Sequence, residues 1–85
     1  MKSMTHGDMP TREGFDQAWE TNEIGSTYRI RNDRRVGSVD FSQDELWDEL
    51  NRTLVRASKI DNRDEADTLM DFVSCVLWTL GFEWI

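Results

Sequence analysis

Eighty-five residues, a single cysteine and a formal net charge of −7 at pH 7 set narrow limits on this chain. A chain of this length holds one small core, one cysteine excludes an internal disulfide and favours a reducing, cytoplasmic compartment, and four tryptophans argue against a disordered chain. The net charge arises entirely in residues 40–85, where eleven acids outnumber four bases, and it disfavours general nucleic-acid binding because phosphate binding needs clustered Lys and Arg.

The N-terminal residues 1–9 are polar and have no apolar period, so we predict a flexible leader there and a single domain over residues 10–85. The longest nearly uncharged apolar stretch, residues 72–82, is about half of the roughly 20 residues that span a bilayer. We therefore expect neither a signal peptide nor a membrane anchor.

A short first helix is predicted over residues 10–21. Phe15, Ala18 and Trp19 recur there at helical spacing and would form its apolar face. Gly14 lies inside the pattern and weakens the prediction, because glycine lowers helix stability.

A β-hairpin is predicted next. Residues 26–31 alternate between polar and apolar, residues 36–41 supply a second β-branched run, and residues 32–35 are of turn type. The side of the hairpin that faces the core should carry Tyr28, Ile30, Val39 and Phe41. We place a bulge at Gly37. A two-stranded ribbon is marginal in water, so it must pack on helices or pair its edge with another chain.

The best-specified element is the second helix. Ser42 and Glu45 have the spacing of a capping box, and Phe41 and Leu46 occupy the two staple positions around it. The apolar stripe of this helix is predicted to consist of Leu46, Leu50, Leu54 and Ala57.

The third helix should begin after a cap at Asp61 or Asn62 and end before Gly81, which can adopt the left-handed C-terminal cap. Phe82 would then pack on Leu77, as in a Schellman ending.

Beyond Asp71 the third helix is apolar almost all round, because Phe72, Cys75 and Trp78 widen its core face. We predict that this part of the helix is surrounded by protein and that Trp19 and Trp78 belong to the core. The expected fold class is α+β, in the order helix, β-hairpin, helix, helix, with the hydrophobic C-terminal helix at the centre.

Catalysis is not expected. The only histidine, His6, lies in the leader, and Cys75 has apolar neighbours that favour a buried thiol over a nucleophile. The acidic run 61–67 does not match a calcium-binding loop, because Arg63 stands at the third ligand position and the glycine at the sixth position is missing. We therefore predict a protein that is not an enzyme and has no metal, cofactor or small-molecule substrate.

Acidic helices are the most suggestive functional feature. The predicted partner-binding residues are Asp44, Glu45, Asp48 and Glu49, with Trp47 and Trp84 as partly exposed anchors. Such a surface fits a protein partner with a basic surface, for example a nucleic-acid-processing protein, and it would act stoichiometrically as an inhibitor or adaptor. Apolar residues near the chain end could also support a homodimer.

In size and charge the chain resembles the small acidic inhibitors of phages and other mobile elements, anti-CRISPR and other DNA-mimic proteins among them. This resemblance covers composition and transfers no residue roles.

One basic cluster supports an alternative function. It consists of Arg29, Arg31, Arg34 and Arg35 in the hairpin. A basic ribbon of this kind could bind nucleic acid and make the chain an accessory protein. The competing interpretation is that these arginines keep an exposed ribbon soluble and pair with the acidic helices.

Overall fold

The computed structural model describes residues 9–82. Its elements are α1 (Arg12–Thr21), β1 (Thr27–Asp33), β2 (Gly37–Ser42), α2 (Gln43–Lys59) and α3 (Arg63–Thr79). The predicted α+β class and the element order are confirmed. None of the helices in this part of the chain combines the length and apolar character that a bilayer crossing requires.

Helix α1 begins where Thr11 caps it, since the Thr11 hydroxyl accepts a hydrogen bond of 3.1 Å from the Gly14 amide. A Cβ at position 14 would lie 3.3 Å from the Thr11 hydroxyl oxygen, which is a tight contact. Glycine at this position therefore leaves room for the capping side chain. Phe15 and Trp19 are buried, as predicted, and the Trp19 indole donates to the Gly25 carbonyl at 2.9 Å. Met9, which we assigned to the leader, packs against the core.

The two strands pair antiparallel as a hairpin, with Tyr28 opposite Phe41 and Ile30 opposite Val39. These four side chains are half-buried, and Tyr28, Ile30 and Phe41 pack against the core. The bulge lies in β1, where three steps from Ile30 to Asp33 oppose two steps in β2, so its placement at Gly37 was wrong. Asn32 in β1 and Gly37 in β2 both have a left-handed backbone conformation (φ 58° and 83°). The extra residue of the bulge lies in the strand that contains Asn32.

Helix α2 begins with the predicted capping box. The Glu45 amide donates to the Ser42 hydroxyl at 3.3 Å, and the Ser42 amide donates to the Glu45 carboxylate at 3.0 Å. Leu46 and Leu50 are buried, but the third fully buried position is Thr53, whereas Leu54 is only half-buried. Leu54 still packs against the core and Ala57 is half-buried, so the predicted stripe faces inward, but it missed Thr53, whose hydroxyl accepts a hydrogen bond from Arg35.

Helix α3 begins at the Asn62 cap, whose side chain accepts a hydrogen bond from the Glu65 amide at 3.1 Å. At its other end Gly81 is left-handed (φ 93°), and the Phe82 amide donates to the Leu77 carbonyl at 2.9 Å. The Gly81 amide donates to the Trp78 carbonyl at 3.0 Å. These bonds are the Schellman pattern, so the predicted ending is confirmed.

The core is built mainly on α3. The buried hydrophobic residues are Phe15, Trp19, Leu46, Leu50, Leu69, Phe72, Val73, Val76, Leu77 and Leu80. Helix α2 contacts α3, α1 and both strands. The prediction that α3 is surrounded after Asp71 was wrong, because Cys75 is exposed and Trp78 keeps 58% of its surface exposed. The spacing of apolar residues shows which faces of a helix can be buried. It does not show how much of the helix surface the neighbouring elements cover.

Candidate protein-binding surfaces

Arg35 joins the hairpin to both long helices. Its guanidinium lies 3.1 Å from the Glu49 carboxylate on α2 and 3.2 Å from both carboxylate oxygens of Asp33, and it donates to the Thr53 hydroxyl at 3.3 Å. It also lies 3.9 Å from the centre of the Phe72 ring on α3. The Arg35 side chain is only 16% exposed. The alternative function assigned Arg35 to nucleic-acid binding, but its guanidinium is occupied by contacts within the protein.

Asp33 is the buried partner in this cluster, with 3% of its side chain exposed. Burial alone would raise its pKa, but the hydrogen bonds and charge of Arg35 outweigh burial and hold the pKa below its usual value. The Arg35 amide also donates to Asp33, at 2.7 Å. The two residues therefore form a largely desolvated ion pair at the hairpin turn.

The other hairpin arginines are exposed. Arg29 binds both carboxylate oxygens of Asp40 across the strands, at 2.7 and 3.0 Å, which raises the pKa of the arginine and lowers that of the acid. Arg34 lies 3.8 Å from Asp71 on α3. Arg31 makes no ion pair with any residue between 9 and 82. The predicted basic cluster is thus dispersed, and Arg31 is its one unpaired cation in this range.

The predicted acidic residues of α2 differ in their surroundings. Asp44 contacts Arg12 of α1 and keeps 85% of its side chain exposed, while Asp48 lies 2.9 Å from Arg52 one turn later. Glu45 belongs to the capping box, whose hydrogen bonds from Ser42 lower its pKa. Glu49 is the exception, because it is bound to the half-buried Arg35 and is therefore part of the fold.

Helices α1 and α2 begin side by side. Arg12 binds Asp16 at 2.9 Å as well as Asp44, and Asp16 accepts a hydrogen bond of 2.6 Å from Gln43. The Arg12 and Gln43 contacts lower the pKa of Asp16. We call the resulting surface the acidic end; its charged residues are Glu13, Asp16, Asp44, Glu45, Asp48, Arg12 and Arg52. Arg12, which sequence reasoning did not single out, holds the two helix starts together.

Trp47 lies beside the acidic end. It is half-buried, with its ring centre 5.1 Å from that of Phe15 and 5.9 Å from the Arg12 guanidinium. The predicted partial exposure of Trp47 is confirmed, and its role as an anchor stays a prediction. Trp84 and His6 lie outside the described residues, and the homodimer expected through the chain end stays a prediction.

A groove separates β1 from α3, and sequence reasoning did not find it. It has a volume of about 250 Å³ and is lined by residues 28–34 on one side. The α3 side is lined by Thr68, Asp71, Phe72, Cys75 and Val76. The one available signal was the expectation that a two-stranded ribbon needs a neighbour along its edge.

The thiol of Cys75 opens into this groove, so its predicted burial was wrong. Partial desolvation and the nearby Asp71 carboxylate raise its pKa. The group is therefore a protonated thiol at neutral pH and not an activated nucleophile. Across residues 9–82, no three His, Cys, Asp or Glu side chains converge as metal ligands would.

The fold defines a small α+β domain with a short hairpin beside two long helices. Comparison with protein-family models, with curated proteins and with solved structures finds no match for the chain.

Proposed function

We propose that the protein is a stoichiometric protein-binding module whose acidic end engages a basic surface on a protein partner. The observation that carries the proposal is the charge left over at the acidic end. Among residues 9–82, the acidic end carries five carboxylates and two cations, Arg12 and Arg52, and most of these side chains are exposed.

The internal ion pairs of the acidic end leave it available to a partner. Asp44 and Asp48 are paired with arginines in solvent, where such pairs contribute about 1 kcal/mol or less. Lysines or arginines of a partner can therefore replace Arg12 and Arg52 at small cost. The local negative field also steers a basic partner toward this end and speeds association. Trp47 adds an aromatic surface of the kind that often anchors interfaces.

Charge neutralisation tests the proposal. The variant Asp44→Asn, Glu45→Gln, Asp48→Asn removes three charges, and glutamine at the third helical position preserves the capping box. In affinity capture from host extract, the wild-type chain should retain one dominant basic protein and release it as salt rises to about 0.5 M. The neutralised variant should lose that protein.

A matched control is available on α3. The variant Asp64→Asn, Glu65→Gln, Asp67→Asn makes the same charge change near the start of a helix of equal length. It should capture the partner as the wild type does. Equal capture by both variants would refute the acidic end as the binding surface, and equal loss would mean that only the net charge matters.

Inhibition follows if the partner is a nucleic-acid-processing protein. An acidic end that occupies a basic channel competes with the nucleic acid for it. In a titration of the purified partner bound to a labelled duplex, the fraction of bound duplex should then fall in proportion to the added protein and reach its minimum at one equivalent of protein per partner. Retention of duplex by the saturated complex would favour an adaptor over an inhibitor.

The alternative, nucleic-acid binding by the hairpin, has less support. Arg35 is inside the fold, and Arg29 is bound at both nitrogens to Asp40. Arg31 and the weakly paired Arg34 remain, which is few for binding a polyanion against a net charge of −7. A labelled duplex that shifts at low salt, and no longer shifts with Arg31→Ala and Arg34→Ala, would favour this alternative over the acidic end.

A further inference from the structure

We propose that the groove between β1 and α3 binds an extended acidic peptide, which adds to the free edge of β1 as a third strand. This surface is separate from the acidic end and takes a ligand of opposite charge. The strand edge, the apolar floor of the groove and the charges at its rim all favour such a ligand.

The edge of β1 that faces away from β2 has no strand beside it in the part of the chain that the structure describes. Consecutive residues 28–34 line the groove, so the groove follows this edge along the regular segment 28–30 and past the bulge that precedes Asp33. An exposed edge presents unpaired backbone N–H and C=O groups, and an extended peptide satisfies them by strand addition. The groove therefore lies where an added strand would lie.

The floor of the groove is apolar. Phe72 and Val76 are buried, and the half-buried Tyr28 and Ile30 adjoin them from the strand. The lining of α3 extends from Thr68 to Val76, which spans roughly 12 Å, about the length of four residues of an extended chain. Alternate residues of the peptide would face this floor, so the ligand needs small or β-branched apolar side chains at every second position.

The rim of the groove is cationic on the strand side. Arg31 is exposed and has no ion-pair partner among residues 9–82, and Arg34 lies 3.8 Å from Asp71, which is long for an ion pair. The outward-facing residues of an added strand would lie beside Arg31 and beside Arg29, whose guanidinium is already paired with Asp40. An acidic residue of the peptide beside Arg31 would supply the missing counter-charge, which is a smaller demand than the successive phosphates of a nucleic acid make.

A second copy of this chain is a poorer occupant of the edge. A symmetric antiparallel pair centred on Arg29, Ile30 or Arg31 would place arginine opposite arginine, and like charges directly opposite each other destabilise a sheet. The charge of the edge thus favours an acidic segment of another protein.

Selection from displayed random octapeptides against the full chain tests the proposal. Enriched peptides should alternate acidic with apolar residues, and titration of one of them should shift the backbone amide signals of Thr27–Asp33. Cys75 is the only cysteine in the chain, so its alkylation by iodoacetamide reports occupancy of the groove. At a peptide concentration ten times Kd, alkylation should slow about tenfold.

Two variants, each with a matched control, test whether the peptide binds at the cationic rim and in the groove. Arg31→Glu should weaken the acidic peptide about tenfold or more, whereas Arg63→Glu, the same change at the exposed start of α3, should not. Cys75→Tyr fills the groove and should abolish the amide shifts, whereas Val55→Tyr, on the exposed face of α2, should leave them intact. Neutralising Asp44, Glu45 and Asp48 should have no effect, which separates this site from the proposed function.

Several results would overturn the proposal. Enrichment without acidic and apolar alternation would do so, as would amide shifts outside β1 with an unchanged rate of Cys75 alkylation. A thymidine oligonucleotide that shifts the β1 amides and protects Cys75 where the peptides do not would assign the groove to nucleic acid. Concentration-dependent protection of Cys75 in the protein alone would assign it to a second copy.

Discussion

The turn of the hairpin and the outer edge of its first strand carry the same kind of side chain in opposite surroundings. At the turn, Arg35 is enclosed by Asp33, Glu49 and the Phe72 ring. Four residues earlier on the edge, Arg31 is exposed and unpaired within residues 9–82. Residue type alone therefore does not distinguish an arginine that stabilises the fold from one that is available to a partner.

Desolvation explains why the two regions differ in energy. A buried ion pair is costly to break, because the remaining charge stays out of water without its partner. An exposed charge loses little when its partner is removed, since water replaces it. Substitutions at the turn should therefore affect the free energy of unfolding, whereas substitutions at the edge should affect binding.

The largest expected effect follows from Arg35→Ala. It leaves Asp33 buried without its cation and should lower the free energy of unfolding by about 3 kcal/mol, whereas Arg31→Ala should change it by less than about 0.5 kcal/mol. Urea unfolding followed by tryptophan fluorescence measures both. Arg35→Lys, which keeps the charge but not the planar fork, should fall between them. Equal effects of the two alanine variants would remove the distinction between turn and edge.

Asp33→Asn should cost about 2 kcal/mol at pH 7, because it removes the ionised partner of Arg35. The folded-state pKa of Asp33 lies below its unfolded value. Its contribution is therefore complete above about pH 5 and is lost as pH falls below about 4 through the lowered pKa. The stability difference between wild type and variant should shrink over that range. A difference that is constant with pH would show that the Asp33 charge is not responsible.

Ser42→Ala should cost about 1 kcal/mol, because it removes the side-chain acceptor at the start of α2 where the hairpin joins the helix. The same urea unfolding measurement allows the loss in Ser42→Ala to be compared with the loss in Arg35→Ala at the turn. A loss larger than that of Arg35→Ala would place the main link between hairpin and helices at the cap.

Arg29→Ala should lower the free energy of unfolding by less than about 0.5 kcal/mol, as small a change as that of Arg31→Ala, although Arg29 makes the best-formed ion pair of the hairpin. Both partners are exposed, so the remaining contribution should vanish in about 1 M salt. A loss of several kcal/mol that persists in high salt would contradict the role assigned to solvent exposure.

Sequence rules predicted the features that depend on neighbours along the chain. The capping box at Ser42 and the Schellman ending at Gly81 involve residues three to five positions apart, so their hydrogen bonds could be inferred from spacing. The hairpin faces followed from alternation for the same reason.

Features that depend on distant contacts could not be predicted in this way. Arg35 meets residues 14, 18 and 37 positions further along the chain, and no local pattern indicates that meeting. Cys75 and Trp78 were placed in the core because their helix is apolar, but the groove beside β1 leaves Cys75 exposed. The acidic start of α2 was predicted from the sequence, but only the structure shows that Arg35 binds Glu49 and that Arg12 joins the starts of α1 and α2.

The side-chain Nε–H signals of the arginines in a ¹H–¹⁵N NMR spectrum test the central distinction most directly. We expect a resolved, slowly exchanging Arg35 signal at neutral pH, because its Nε–H is bonded to the buried Asp33, and an averaged, rapidly exchanging Arg31 signal. Two indistinguishable, averaged signals would contradict an arginine fixed at the turn and a free one at the edge.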